Sequence, residues 1–166
     1  MTRYRGDMEH LVIVAPLEPL IVGASFAVSR FPLHLTLVPP FLVDCALPAL
    51  NTVIEAISNE TERLLAEVTG RDEFGPNGDI VVAVIRPTGS ILKAHTRLTA
   101  ALMPLGWSAQ EPHYNGQGFR PHITSNDDGH VRLGEHFILG EIAIVEMLDL
   151  PIVRATYVLS DFRSNG

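Results

Sequence analysis

The chain of 166 residues carries 19 acidic against 12 basic side chains, for a formal charge of −7, and is 46% hydrophobic. A soluble chain of this length buries roughly two thirds of its unfolded surface, so folding requires neither a disulfide nor a metal. The only cysteine, Cys45, excludes an internal disulfide, fits a reducing, cytoplasmic setting, and is read as a small core residue. A single lysine, Lys93, and the acidic excess argue against a long basic groove tracking a nucleic-acid backbone. A short or terminal anionic ligand is compatible with both.

Arg3 and Arg5 ahead of the apolar run from Leu11 to Leu17 resemble a secretion leader, but Asp7, Glu9, Pro16, Glu18 and Pro19 interrupt that pattern. No stretch reaches the roughly 18 uninterrupted apolar residues of a membrane helix. The expectation is a soluble intracellular protein.

In chain order, His10 to Ala15 reads as a buried strand, and Pro16 to Ser29, with two prolines and Gly23, leaves room for at most an abbreviated helix. Phe31 to Val38 reads as a strand ended by Pro39 and Pro40. Apolar residues Leu47, Leu50, Ile54, Ile57 and Leu64 predict a helix from Leu47 to about Leu65, with Asp44 as its cap. Glu67 to Phe74 and Ile80 to Ile85 form a hairpin across Gly75-Pro76-Asn77-Gly78. Ser90 to Met103 is a second helix, presenting Ile91, His95, Leu98 and Leu102 on one face and ended by Gly106. Trp107 to Gly118 is a polar loop, Gly118 to Ser125 a strand, and Asn126 to Gly129 a turn. Two last strands run from Phe137 to Met147 and from Val153 to Leu159. The order of elements predicts an α+β fold with a hint of duplication.

That hint becomes concrete in two hexapeptides 88 residues apart, Phe31-Pro-Leu-His34-Leu-Thr36 and Phe119-Arg-Pro-His122-Ile-Thr124. In a strand, residues i and i+2 share a face, so each histidine sits beside its threonine, while the intervening aliphatic residue points to the core. Brought together by internal two-fold symmetry, two imidazoles and two hydroxyls form a site suited to phosphoryl chemistry. One imidazole accepts a proton from the attacking oxygen and the other donates one to the leaving oxygen. The threonine hydroxyls donate to non-bridging phosphate oxygens.

These paired motifs, with Leu33 to Leu37 followed by Pro39-Pro40-Phe41, resemble those of the two-histidine (2H) phosphoesterase superfamily, in particular the 2′-5′ RNA ligase-like proteins and cyclic phosphodiesterases. The resemblance implies a bilobal, pseudo-two-fold duplicated LigT-like fold in one domain spanning residues 1–166. Antiparallel sheets flank a central cleft and helices lie outside. It also implies a metal-independent phosphodiesterase acting on 2′,3′-cyclic phosphates or 2′-5′ links, with His34 and His122 as the proton-transfer pair and Thr36 and Thr124 on the phosphate. No cofactor is implied. The direction favoured is His122 activating water and His34 protonating the leaving oxygen. The segment before the first motif is short for the helix usually found there. The competing readings are a 2′-5′ RNA ligase and a non-catalytic nucleotide or RNA-end binder; the acidic balance fits poorly with a ligase gripping a large folded RNA. The expected partner is a small nucleotide or RNA terminus, with no membrane, no large nucleic-acid surface, and a monomeric state favoured.

The remaining candidates carry competing structural readings. Arg120, two residues before His122, shares its strand face and is a further phosphate ligand or else a solvated strand-end arginine; Arg30 reaches the site only if its strand runs on unbent. Tyr114 beside His113, and Phe41, are candidates for stacking on a base, with core packing favoured for Phe41. Phe31 and Phe119 are assigned by alternation to the buried face opposite the histidines. His95 reads as a satisfied core histidine, and His10, His130 and His136 have no identifiable partner. Zinc is disfavoured because no short His or Cys spacing is present. The Asp127-Asp128 pair marks a turn before it marks calcium.

Overall fold

The structure is a computed structural model describing residues 9–161; Arg3, Arg5 and Asp7, on which the leader reading partly rests, lie outside the described residues. Leu11–Pro16 (β1) is buried along its whole length, as a central strand covered on both faces must be. It pairs with His34–Leu42 (β2) on one side and Glu141–Glu146 (β8) on the other. The remaining elements are Leu47–Asn59 (α1), Leu64–Phe74 (β3), Ile80–Ile85 (β4), Gly89–Leu102 (α2), Ser108–Ala109 (β5), His122–Thr124 (β6), His136–Leu139 (β7) and Ile152–Val158 (β9).

The sheet is antiparallel, in the order β7, β3, β4, β6, β2, β1, β8, β9, with β5 attached to β2. That order is palindromic about its centre: each half ends at the seam in a motif strand, β6 or β2, followed outward by β4 or β1. The sheet curls, and Ser160 after β9 meets Glu62 before β3 in a parallel bridge. Both helices pack on one face. Leu50 and Ile54 of α1, Ile91, Leu98 and Leu102 of α2, and Ile13, Leu35, Ile85, Ile123 and Ile144 of the sheet belong to one continuous core. A smaller cluster of Val12, Val14, Ala143, Val145 and Val153 forms the other face of the β1 half, covered by Leu20, Ala24, Phe26 and Phe31. No α-helix lies between β1 and β2, only a 3₁₀ turn at Val28–Arg30.

Several expected boundaries move, each for a local reason. β2 runs through Pro39 and Pro40 rather than ending there, because they fall in a bulge: Leu11 pairs with Phe41 but Ile13 with Val38. A proline without an N–H is tolerated in such an interruption of the ladder. α1 stops at Asn59, well short of Leu65, and Leu64 starts β3 instead. There the Thr61 hydroxyl donates to the Ile57 carbonyl at 2.6 Å, and Arg63 N–H pairs with Ser160. The α1 N-cap is Ala46 with proline in the first turn, so Asp44 is not the cap. Helix α2 has its cap at Thr88, whose Oγ1 accepts from the Ile91 N–H at 3.3 Å. The segment read as one strand from Phe137 to Met147 is two strands, split at Gly140, where the chain leaves β3 in one half and joins β1 in the other. β6 keeps only three residues, since Phe119 N–H turns back to Gly116 and Pro121 has no N–H.

Candidate active site

The two motif strands join through a single residue pair, Leu35 of β2 opposite Ile123 of β6, both buried in the helix-side core. In an antiparallel register that pairing sets His34 opposite Thr124 and Thr36 opposite His122, all four on the face away from the helices. Opposed residues in such a ladder stand roughly 5 Å apart and diagonal ones roughly 7–8 Å, so the array is small enough for one phosphate group. Val14, opposite Thr36, and Val82 and Val84, opposite Thr124 and His122, form its apolar flanks.

The two imidazoles are held alike. Nδ1 of His34 lies 2.7 Å from the Pro32 carbonyl, and Nδ1 of His122 lies 2.7 Å from the Arg120 carbonyl. A carbonyl only accepts, so each Nδ1 carries the proton and each Nε2 presents a bare lone pair. Neither Nε2, nor either threonine hydroxyl, has a hydrogen-bond partner among the described residues. Burial pushes His34 down to about 4, against the supporting Pro32 bond, and the neighbouring His122 adds a smaller repulsion. Burial also lowers His122.

Each histidine leans on an aromatic ring, but the two rings come from unlike places. His34 packs on Phe31 of its own motif at 4.1 Å between centroids, whereas His122 meets the edge of Phe74, at the β3 end of the hairpin, at 4.6 Å. Phe31 is buried as expected, but with the cluster on the histidine side of the sheet, not on the opposite face. Only Phe119 joins the helix-side core, where it stacks on His95 at 4.0 Å.

His95 is saturated. Its Nδ1–H donates to the Leu37 carbonyl at 2.7 Å and its Nε2 accepts from the Gly116 N–H at 3.0 Å, which pins the loop ahead of the second motif. The contrast with the bare Nε2 atoms of His34 and His122 separates a structural histidine from the two that face the array. Arg120 donates to Asp72 at 2.9 Å and covers the Phe74 ring at 4.9 Å, so its charge is spent on the hairpin instead of facing a phosphate. Arg30 is likewise held by both carboxylate oxygens of Asp128. Phe41 is fully buried, which removes it as a stacking surface. Tyr114 lies on the 3₁₀ turn Pro112–Tyr114 with an exposed ring packed on His113. Cys45 packs against the core as a free thiol. Among the described residues no group of three or more His, Cys, Asp or Glu side chains gathers to hold a metal, and no helix is long and apolar enough to cross a membrane.

Sequence reasoning missed Phe74 and Asp72, which only the hairpin register brings to His122. It also missed the two carbonyls that fix the tautomers; the signal for those was the extended i−2 spacing in both motifs.

A curled antiparallel sheet with helices on one face and paired His-x-Thr strands at its seam defines the 2H phosphoesterase class. A family model described as the 2′-5′ RNA ligase superfamily matches residues 18–129, well over half of the chain, and the protein belongs to that superfamily. No curated protein shows a significant sequence match. Among solved structures, the chain is similar to one described as a phosphoesterase (12% identity, TM-score 0.59, covering 92% of this chain and 99% of that one). It is similar to TT0787 of Thermus thermophilus (17%, 0.59, 93% and 100%). It is also similar to E. coli LigT, crystallised with 3′-AMP (12%, 0.57, 92% and 99%). At these identities the likeness establishes the fold.

Proposed function

We propose that the protein is a metal-independent phosphodiesterase that opens a 2′,3′-cyclic phosphate, or a related small 2′-5′-linked nucleotide, by paired acid–base catalysis. The observation that carries this reading is the array of four unpartnered polar groups on one face: two imidazole Nε2 atoms in matched tautomers and two threonine hydroxyls. His122 Nε2 takes the proton from the attacking water, and protonated His34 gives one to the leaving ribose oxygen. Thr36 and Thr124 donate to the non-bridging oxygens, where charge resides in the transition state. The carbonyls of Pro32 and Arg120 hold the rings in the required tautomer and orientation. With both nearby arginines already bound to aspartates, the array suits a singly charged phosphodiester better than a polyphosphate. Tyr114, with its ring exposed, keeps the base-stacking role. E. coli LigT crystallised with 3′-AMP supports a nucleotide of this size.

The test is incubation with nucleoside 2′,3′-cyclic phosphates and short 2′-5′ oligonucleotides, followed by phosphorus NMR. His34→Ala and His122→Ala are each expected to lower turnover by about 10²–10⁴-fold, the usual worth of a positioned acid or base. Thr36→Ala and Thr124→Ala are expected to lower it by about ten- to a hundredfold, the loss of one charge-assisted hydrogen bond. Turnover at the full rate in either histidine variant overturns the reading. Tight product binding with no conversion of any substrate would favour a nucleotide-binding module, and joining to a 5′-hydroxyl end would favour the ligase.

A further inference from the structure

Eight arginines lie within the described residues. Six of them, Arg30, Arg63, Arg86, Arg97, Arg120 and Arg154, each hold an aspartate or glutamate within 3 Å. In a chain with 19 acidic groups against 12 basic ones, such pairing is the ordinary fate of a guanidinium. The other two, Arg71 and Arg132, have no carboxylate partner among the described residues, and both line the same pocket. That pocket, about 290 Å³ in volume, lies between β3, β4 and the 130–133 segment. Val81 and Val131 contribute apolar walls, and Ser125 and His130 further polar groups. Of the carboxylates nearest these two arginines along the chain, Asp72 beside Arg71 is taken by Arg120 at 2.9 Å, and Glu135 near Arg132 is turned to the Arg132 backbone N–H at 2.6 Å.

We propose that this pocket is a binding site for a small organic anion, with a phosphate or carboxylate held by Arg71 and Arg132 and a compact apolar body against Val81 and Val131. Guanidinium donors suit both anions through two parallel hydrogen bonds. The volume lies at the lower end of ligand pockets, which run from roughly 300 to 1,000 Å³, and so selects a small occupant. The site is separate from the histidine array, although Ser125 directly follows Thr124, and it does not depend on the reaction assigned to that array.

Site-resolved amide NMR of the full chain tests it, with phenyl phosphate, benzoate, inorganic phosphate and benzyl alcohol as probes. The two aromatic anions are expected to shift the Val81, Ser125 and Val131 amides saturably. The double variant R71Q/R132Q is expected to bind them at least tenfold more weakly, with unchanged melting temperature and unchanged turnover at the histidine array. Whichever of phenyl phosphate and benzoate binds more tightly identifies the anionic group. The proposal is overturned if neither aromatic anion produces a saturable shift, or if the double variant binds as well as the parent. It is also overturned if benzyl alcohol or inorganic phosphate matches the aromatic anions, since charge or the apolar walls would then play no part.

Discussion

His34 and His122 differ from an ordinary surface histidine in having one nitrogen committed and the other bare, and that local fact sets the pH behaviour of the site. Burial places both below the usual histidine value, His34 at about 4. In the proposed mechanism the base would therefore be ready at neutral pH, while the protonated acid would be the minority form. As pH falls the acid would become populated, until a second proton silences the base. The expected outcome is a bell-shaped kcat/KM on a 2′,3′-cyclic phosphate with its maximum below about pH 6.5, the unperturbed histidine value, and a decline toward about pH 8. A plateau reaching its highest value above about pH 7.5 would contradict it. Phe74 shares in burying His122, so Phe74→Ala should raise the His122 pKa toward the ordinary value, read as an upward shift in the NMR titration of its ring proton; an unmoved titration would show that the ring does not shield it. The histidines and threonines were legible because a period-two strand pattern repeats them in full. Phe74 and Asp72 were not, because their nearness to His122 depends on the β3 to β4 to β6 register, which no local pattern encodes.

At the level of elements, α2 was legible from its apolar stripe and Gly106 terminator, and the β3–β4 hairpin from Gly75-Pro76-Asn77-Gly78. β2 was misread at its end because a proline pair signals a stop in the sequence, while a tertiary bulge accommodates it. The segment from Trp107 to Gly118, a polar loop by its composition, forms a short strand and two 3₁₀ turns. It is held by His95, and at Gly118 an added Cβ would collide with the His113 carbonyl. His95 ties β2, α2 and this loop together, and burial lowers its pKa despite the favourable Leu37 bond. A depressed folded-state value means that the stabilisation is complete above the unfolded value near pH 6.5 and is lost as pH falls below it. Protonation would also turn the Nε2 acceptor into a donor facing the Gly116 N–H. His95→Ala is expected to cost about 2–4 kcal/mol at about pH 7.5, from a lost buried ring and two hydrogen bonds, and to flatten the loss of stability between about pH 6.5 and 5. Urea unfolding of both proteins across that range measures each effect; a cost below about 0.5 kcal/mol, typical of a surface change, would remove His95 from this role.

Across the whole molecule, the halves share one helix-side core but their motif strands join through a single residue pair, so the array depends on how those strands are held together. On one side, Arg30 grips Asp128 and the Asn126 side chain donates to the Phe31 carbonyl at 2.7 Å, linking the start of one motif to the turn after the other. On the other side, Arg120 binds Asp72. Both arginines flanking the array are thus neutralised internally, and the formal charge of −7 has no compensating basic tract near the seam. A substrate would therefore be held through one phosphate and its immediate neighbours rather than along a strand. Each phosphate neutralised on a single strand contributes about −0.7 to the slope of log binding constant against log salt concentration. The expected slope for kcat/KM is therefore about −1 or shallower. It should be the same for a nucleoside 2′,3′-cyclic phosphate and for a long RNA ending in one. Parallel salt titrations of the two substrates measure this directly. A slope several times steeper on the long RNA, accompanied by a lower KM, would show that the protein grips the chain beyond its terminus and would return the ligase reading to the front.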